Sequence, residues 1–219
     1  MAAARQSTQP ASESQSERVR RMPRAQRREQ LLDAATRAFA RTGFTATGLD
    51  DIAAEAGVTH VILYRHFASK NDLYRAVLDR ACTRLGTAVG IENYDEGSIP
   101  ALLRAAVADP DGFRLLFRHA VREPEFRDVI DRIRLASTEI AHRHLADAIP
   151  DGSWQDWAAR LIPTLTLEAV IVWLDTGQPD PDDAANRIEY AIHGVIQAAQ
   201  TGYARTSDAD QRTVNTDNC

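Results

Sequence analysis

Lysine is almost missing from this 219-residue chain: Lys70 stands alone against 25 arginines. That bias, with heavy use of alanine, is the mark of a GC-rich genome. Cysteine is nearly as scarce. Cys82 and Cys219 have neither zinc-ligand nor disulfide spacing, which suits a reducing cytoplasm. No run of about 18 unbroken apolar residues exists, so no membrane-spanning helix is expected. The best candidate, Leu161 to Leu174, is broken by Pro163, Thr164, Thr166 and Glu168. The opening MAAARQSTQP lacks the basic start and apolar core of a secretory signal, and a cytoplasmic location is expected. Only 11 Gly and 9 Pro accompany 44% hydrophobic residues, and no alternating strand pattern appears. An all-α globule is therefore expected.

Catalytic signatures are absent too. There is no Gly-rich phosphate loop and no nucleophile elbow. His142 and His144, two residues apart on a helix, diverge by about 200° and make a poor metal pair. A carboxylate-bridged di-metal bundle needs two Glu-x-x-His pairs, and only Glu139/His142 has that spacing. No enzyme activity, metal or cofactor is expected. The competing class is a helical-bundle metal- or haem-binding protein, which a metal assay and an absorption spectrum would reveal.

What is present is concentrated in residues 49 to 74, LDDIAAEAGVTHVILYRHFASKNDLY. Leu49, Ile52, Ala53 and Ala56 fall at helical spacing and give a first short helix one apolar face. Gly57 occupies the left-handed C-terminal position, Val58 plugs the corner, and Thr59 can cap a second helix. In that helix Leu63 and Phe67 point inward. His60, Val61, Ile62, Tyr64, Arg65 and His66 remain around the outside, which suits a major-groove reader. This is a helix-turn-helix; a hairpin that only packs is the bland alternative.

Charge supports it. The net charge is −5, yet residues 1 to 85 carry an excess of five positive charges and the rest an excess of ten negative. The attractive field sits where DNA would dock. Arg18, Arg20, Arg21, Arg24, Arg27 and Arg28 precede or open the first helix, where they can follow phosphates or enter a minor groove.

Punctuation divides the chain into an unstructured basic arm (1–22), a DNA-binding unit (23–70), a ligand-binding and dimerisation unit (71–204) and a flexible tail (205–219). Helices are expected at about 23–42, 49–56, 60–67, 69–89, 99–108, 111–122, 124–148, 153–175 and 181–203, nine in all.

Residues 27 to 74 resemble the N-terminal domain of the TetR (tetracycline-repressor) family. The matching pattern is Leu31-Leu32, Ala34-Ala35, Phe39, Gly43-Phe44, Ile52-Ala53, Ala56-Gly57-Val58, Leu63-Tyr64-Arg65-His66-Phe67 and Ser69-Lys70. The resemblance implies a ligand-responsive homodimeric transcription regulator, a repressor released from operator DNA by a small, largely apolar effector. It implies DNA contacts from Thr59, His60, Val61, Ile62, Tyr64, His66 and Lys70. Where the family usually has Ser or Thr capping helix 2 and touching a phosphate, this chain has Gly48, so that contact passes to Thr47 or is lost. Val61 and Ile62 are bulkier than the family's usual residues and favour thymine methyls.

The last two long helices supply the expected subunit contact. Ile188, Ala191, Ile192, Val195, Ile196 and Ala199 form one apolar stripe, with Gly194 permitting close approach. The preceding helix is apolar on every side near Val170 and Trp173, so it needs neighbours on every side. The family resemblance places the dimer on these same helices. The middle helices are expected to enclose the sensor pocket, with Phe113, Leu116, Phe117, Ile133, Leu135, Ile140, Ile162 and Leu165 as apolar lining and Arg118, Glu139, His142, Thr166 and Glu168 as orienting groups. Glu168, set in an apolar stretch, is expected to be buried with a partner.

Overall fold

The computed structural model describes residues 22–90, 95 and 97–214, with side chains as far as Thr201. Residues 1 to 21 of the expected arm lie outside that range, as do 215–219 of the expected tail. Among the described residues there are nine α-helices and no strand: α1 (Arg24–Ala46), α2 (Leu49–Glu55), α3 (His60–Tyr64), α4 (Lys70–Val89), α5 (Ser98–Ala108), α6 (Pro110–Arg114), α7 (Arg127–Leu145), α8 (Ser153–Asp175) and α9 (Pro181–Val214).

The stripe Leu31, Leu32, Ala34, Ala35, Ala38 and Phe39 buries one face of α1. That helix is broken near its end by Gly43, whose φ of 79° and ψ of 174° suit a residue without Cβ. Thr47 secures the bend, its hydroxyl donating to the Gly43 carbonyl at 2.6 Å. Phe39, Phe44, Tyr74 and Phe126 then interlock, with ring centroids 4.6 to 6.1 Å apart. Phe126 belongs to the later chain. One hydrophobic cluster therefore joins α1–α4 to Leu115, Leu116, Ala120, Val129 and Ile130. The core of the reading head runs straight through the boundary expected near residue 70.

Helix α4 is the strut. Ser69 Oγ accepts from Asp72 N–H at 3.1 Å, and Asp72 accepts from Ala68 N–H at 2.9 Å, a reciprocal cap. Its 20 residues span about 30 Å. Two more clusters hold the body, one between α5, α6, α8 and α9 and one between α7, α8 and α9.

Three expected segments differ. The helix expected over 111–122 is α-helical only to Arg114, then a π-turn (Leu115–His119) and a 3₁₀ turn (Ala120–Arg122). Residues 124–126 form a 3₁₀ turn, and α7 starts at Arg127, because Phe126 leaves helical geometry to enter the aromatic cluster. Helix α9 continues past Tyr203 to Val214. Helix α8 is long and apolar enough to cross a bilayer by length and composition. It packs instead against α5, α7 and α9.

Candidate DNA-reading helix and effector cavity

Helix α3 is short, with Thr59 at its N-cap and Arg65 at its C-cap. Leu63 is fully buried and Phe67 nearly so, which pins the helix to α1 and α2. Val61 and Tyr64 stand 61% and 52% exposed, a large apolar and aromatic surface. Thr59 and Arg65 are exposed beside them and Ile62 is half-buried. These residues form the outward face expected of a groove reader.

Three of the expected DNA contacts are engaged within the protomer. Thr47 is 2% exposed, and its hydroxyl is spent on Gly43 and on Thr42 Oγ1 at 2.8 Å; it cannot take over a phosphate. Gly48 N–H donates to Asp51 Oδ2 at 2.8 Å. His60 packs its ring 5.0 Å from Tyr64, with Nδ1 3.3 Å from Asp50 Oδ1. Its Nε2 is buried without a hydrogen-bond partner. His60 therefore leans on α2 instead of offering both nitrogens to base edges.

Lys70 donates to the Thr45 carbonyl at 3.3 Å and lies 4.5 Å from the Phe44 ring centroid. Part of its role is to tie α4 to the end of α1. His66 is half-buried, and its imidazole is held below the usual range by desolvation, then by Arg24, Arg27 and Arg28.

A half-open cavity of about 1340 Å³ lies between α4, α5, α7, α8 and α9. Its wall is mainly aliphatic: Leu85, Val89, Ile99, Leu102, Ile133, Ile140, Ile162, Leu167, Ile192 and Ile196, with Phe117 from the π-turn. Pro163 and Thr166 of α8 face it, and the Thr166 hydroxyl is satisfied by the Ile162 carbonyl at 2.8 Å. The Cys82 thiol also lines it and is pushed up to about 11, mainly by burial and secondly by Asp79. That thiol is protonated at neutral pH. Polar groups come from α4 (Asp79, Thr83), α7 (Arg132, Ser137, His144) and α9 (Asp182, Asn186, Glu189, His193).

Of the expected pocket residues, Phe117, Ile133, Ile140, Ile162 and Thr166 do line this cavity. The others stand elsewhere. Phe113 and Leu116 are packed in the core. Arg118 joins Arg114 in clamping Asp175, at 2.7 and 3.1 Å, which closes the end of α8. His142 pairs with Asp156 at 3.0 Å. Leu135 is 62% exposed and Glu139 is exposed. They occupy the back of α7, whose Ile133, Ser137, Ile140 and His144 face inward. Leu165 is half-buried outside the lining, and Glu168 is exposed rather than buried.

The residues expected at the subunit contact divide between core and cavity within the protomer. Val170, Trp173 and Ile188 are buried within the protomer, where Trp173 Nε1 donates to the Pro179 carbonyl at 2.6 Å. Ile192 and Ile196 line the cavity and Val195 packs on the α7–α8 cluster. What α8 and α9 turn outward is Trp154, Trp157, Glu168 and Val172, with Tyr190 and Gly194.

Sequence reasoning missed Arg80. Its guanidinium, 11% exposed, binds Asp33 at 2.7 Å, Glu29 at 3.2 Å and the Thr36 hydroxyl at 2.8 Å, locking α4 to α1. The neighbouring Asp79, Cys82 and Thr83 line the cavity. An arginine whose partners, Glu29, Asp33 and Thr36, all lie on a helix more than 40 residues earlier leaves no local sequence signal.

Among the described residues no group of three His, Cys, Asp or Glu could hold a metal ion.

Comparison with known proteins agrees with this geometry. Residues 31–77 match the model of "Bacterial regulatory proteins, tetR family". The HTH-type transcriptional activator FasR of Mycolicibacterium smegmatis is 34% identical over 199 residues, covering 84% of this chain and 86% of that protein. An HTH-type transcriptional repressor of Streptomyces coelicolor is 35% identical over 88 residues, 40% of this chain and 46% of the other. A TetR-like transcriptional regulator from Rhodococcus sp. RHA1 shares the fold, with a TM-score of 0.69 at 23% identity over 78% of this chain and 96% of that one. An exposed reading helix carried on α4, above a helical body that matches FasR over most of its length, has one reading: the chain belongs to the tetR family and is a DNA-binding transcriptional regulator.

Proposed function

We propose that this regulator binds operator DNA as a homodimer and represses transcription until a small, largely apolar effector enters the cavity. The observation that carries the reading is the position of α4. Its first half (Leu73, Tyr74, Val77, Leu78) is built into the core of the reading head. Its second half (Cys82, Leu85, Gly86, Val89) is cavity wall. Two α3 helices enter successive major grooves only when about 34 Å apart. An effector that prefers a different tilt of α4 changes that spacing and weakens binding by the difference in its affinity for the two arrangements.

The outward faces of α8 and α9 supply the subunit contact, with Trp154, Trp157, Val172 and Tyr190 as apolar anchors. Thr59, Val61, Ile62 and Tyr64 face the bases and neighbouring phosphates. The effector is an organic molecule of drug size or larger, since the cavity exceeds the usual range of about 300–1,000 Å³. Both the DNA and the effector are met in the cytoplasm. One relative is named an activator and another a repressor; for this chain repression is proposed, with the operator overlapping the promoter it controls.

The test uses an operator selected by the protein from random-sequence DNA, with 1-anilinonaphthalene-8-sulfonate as an apolar cavity probe. Saturating dye is expected to raise the operator Kd roughly 5- to 150-fold, the span of 1–3 kcal/mol of coupling. Tight operator binding that ignores the bound dye would overturn effector control while leaving DNA binding in place. Transcription from a promoter carrying the operator should fall on adding protein; a rise would reverse the sign proposed.

A further inference from the structure

A helix N-terminus with free N–H groups attracts phosphate, but in this protein the first turn of α2 carries two carboxylates and no capping side chain. Gly48 has no side chain to offer. Its N–H is already taken by Asp51, and the hydroxyl of Thr47 is buried in the α1 bend. Asp50, 90% exposed, stands beside Asp51 in the first turn. Two carboxylates at that mouth repel a phosphate.

The opposite flank of the reading head is basic. The first turn of α1 carries no acid, and Arg24, Arg27 and Arg28 project from its first two turns. Arg28 and Arg24 are exposed, and the Arg28 guanidinium lies 5.1 Å from the Phe67 ring centroid, just beyond α3. A guanidinium stacked on a ring keeps its edge donors free for phosphate oxygens. Arg27 Nη1 donates to Gln30 Oε1 at 2.6 Å, and Gln30 Nε2 donates to the Ala56 carbonyl at 2.9 Å, at the turn before α3. The strip is thus fixed in place relative to the reading helix. Among the described residues, Glu29 and Asp72 share a shallow recess with Arg28; Glu29 is drawn to Arg80 on α4, and Asp72 Oδ2 accepts from Ala68 N–H at 2.9 Å.

We propose that the chain grips the DNA backbone through Arg24, Arg27 and Arg28 of α1, and that the N-terminus of α2 contacts no phosphate. The proposal rests on the DNA-binding reading and says where the phosphate anchor lies. It follows that Asp50 costs affinity and that the α1 strip carries a large share of the salt dependence.

The experiment is a set of operator titrations at several salt concentrations. Each phosphate contact contributes about 0.9 to the slope of log K against log salt. Arg24→Gln/Arg27→Gln/Arg28→Gln is therefore expected to reduce the slope by two to three units per protomer. The single exposed change Arg24→Gln, which leaves the core untouched, is expected to reduce it by about one unit per protomer. Asp50→Asn is expected to tighten binding severalfold at unchanged slope. A folded triple variant, or Arg24→Gln alone, with the wild-type slope would overturn the proposal, as would weaker binding by Asp50→Asn. A wild-type protein that selects no DNA sequence would overturn the DNA-binding reading itself, a distinguishable failure.

Discussion

Replacing Arg80 with methionine should separate effector binding from DNA release. The side chain keeps most of its aliphatic stem, so the loss is polar. Glu29 and Asp33 have side chains 54% and 50% exposed and regain water when the guanidinium goes. Each of those ion pairs is then worth about 0–1 kcal/mol. The bond from the buried guanidinium to Thr36 adds roughly 1.5–3 kcal/mol, and the Thr36 hydroxyl retains the Leu32 carbonyl at 2.8 Å. The total, about 1.5–5 kcal/mol, lies below most of the 5–15 kcal/mol range typical of a domain. Arg80→Met therefore stays folded, with a lower urea midpoint. Its α1 then keeps the apolar contacts, Lys70 on the Thr45 carbonyl and the longer Arg84–Asp33 pair, but loses the shortest polar ties to α4, so a tilt of α4 drags the reading head less. Fluorescence anisotropy of labelled operator, followed as dye is added, should show release in the wild type and less in the variant. Dye binding itself should change by less than about twofold, since Arg80 is not in the cavity wall. Equal release by both proteins would refute the assignment of Arg80 as the link.

Tyr74→Phe should raise the unfolding free energy by about 1–2 kcal/mol, because the Tyr74 hydroxyl is buried without a hydrogen-bond partner; a destabilised variant in chemical denaturation would contradict this. Val172→Arg should convert the dimer to a folded monomer, seen by light scattering with unchanged helical circular dichroism, since Val172 is 50% exposed in the protomer. Trp173→Arg should unfold the chain instead, because that indole is 6% exposed. His119 has its pKa lowered first by burial, then by Arg122 and Arg118. The unfolded chain therefore takes up the proton first. Stability is full above the unfolded value near 6.5 and falls as pH drops below it, and His119→Gln should flatten that part of a urea-midpoint profile between pH 7.5 and 5.5.

The helix-turn-helix was readable because its signals are local: the Ala56-Gly57-Val58 turn and the Leu63/Phe67 pair act within a few residues of each other. The nine helices followed from punctuation for the same reason. The π-turn at Leu115–His119 was not readable, since it is imposed from outside: Phe117 reaches the cavity while Leu115 and Leu116 fill the head's core. Side-chain direction in the body failed more often than helix position. Glu168 and Val170 are neighbours on α8, yet one is exposed and the other fully buried. Which side of an all-round apolar helix meets its own protomer depends on where α5, α7 and α9 pack, and nothing within the α8 sequence specifies that. Thr47 misled for a subtler reason. A hydroxyl beside a glycine cap invites a phosphate contact, but the positive φ of Gly43 turns that hydroxyl back into the bend.

The central claim is that cavity and reading head share one equilibrium through α4. Linkage makes it reciprocal: whatever factor the dye takes from operator affinity, the operator must take from dye affinity. Titration calorimetry of dye into the wild-type protein, free and saturated with selected operator, measures that factor directly. The account predicts a dye Kd raised by DNA by the same roughly 5- to 150-fold seen in the anisotropy experiment. An identical dye Kd with and without operator would contradict it.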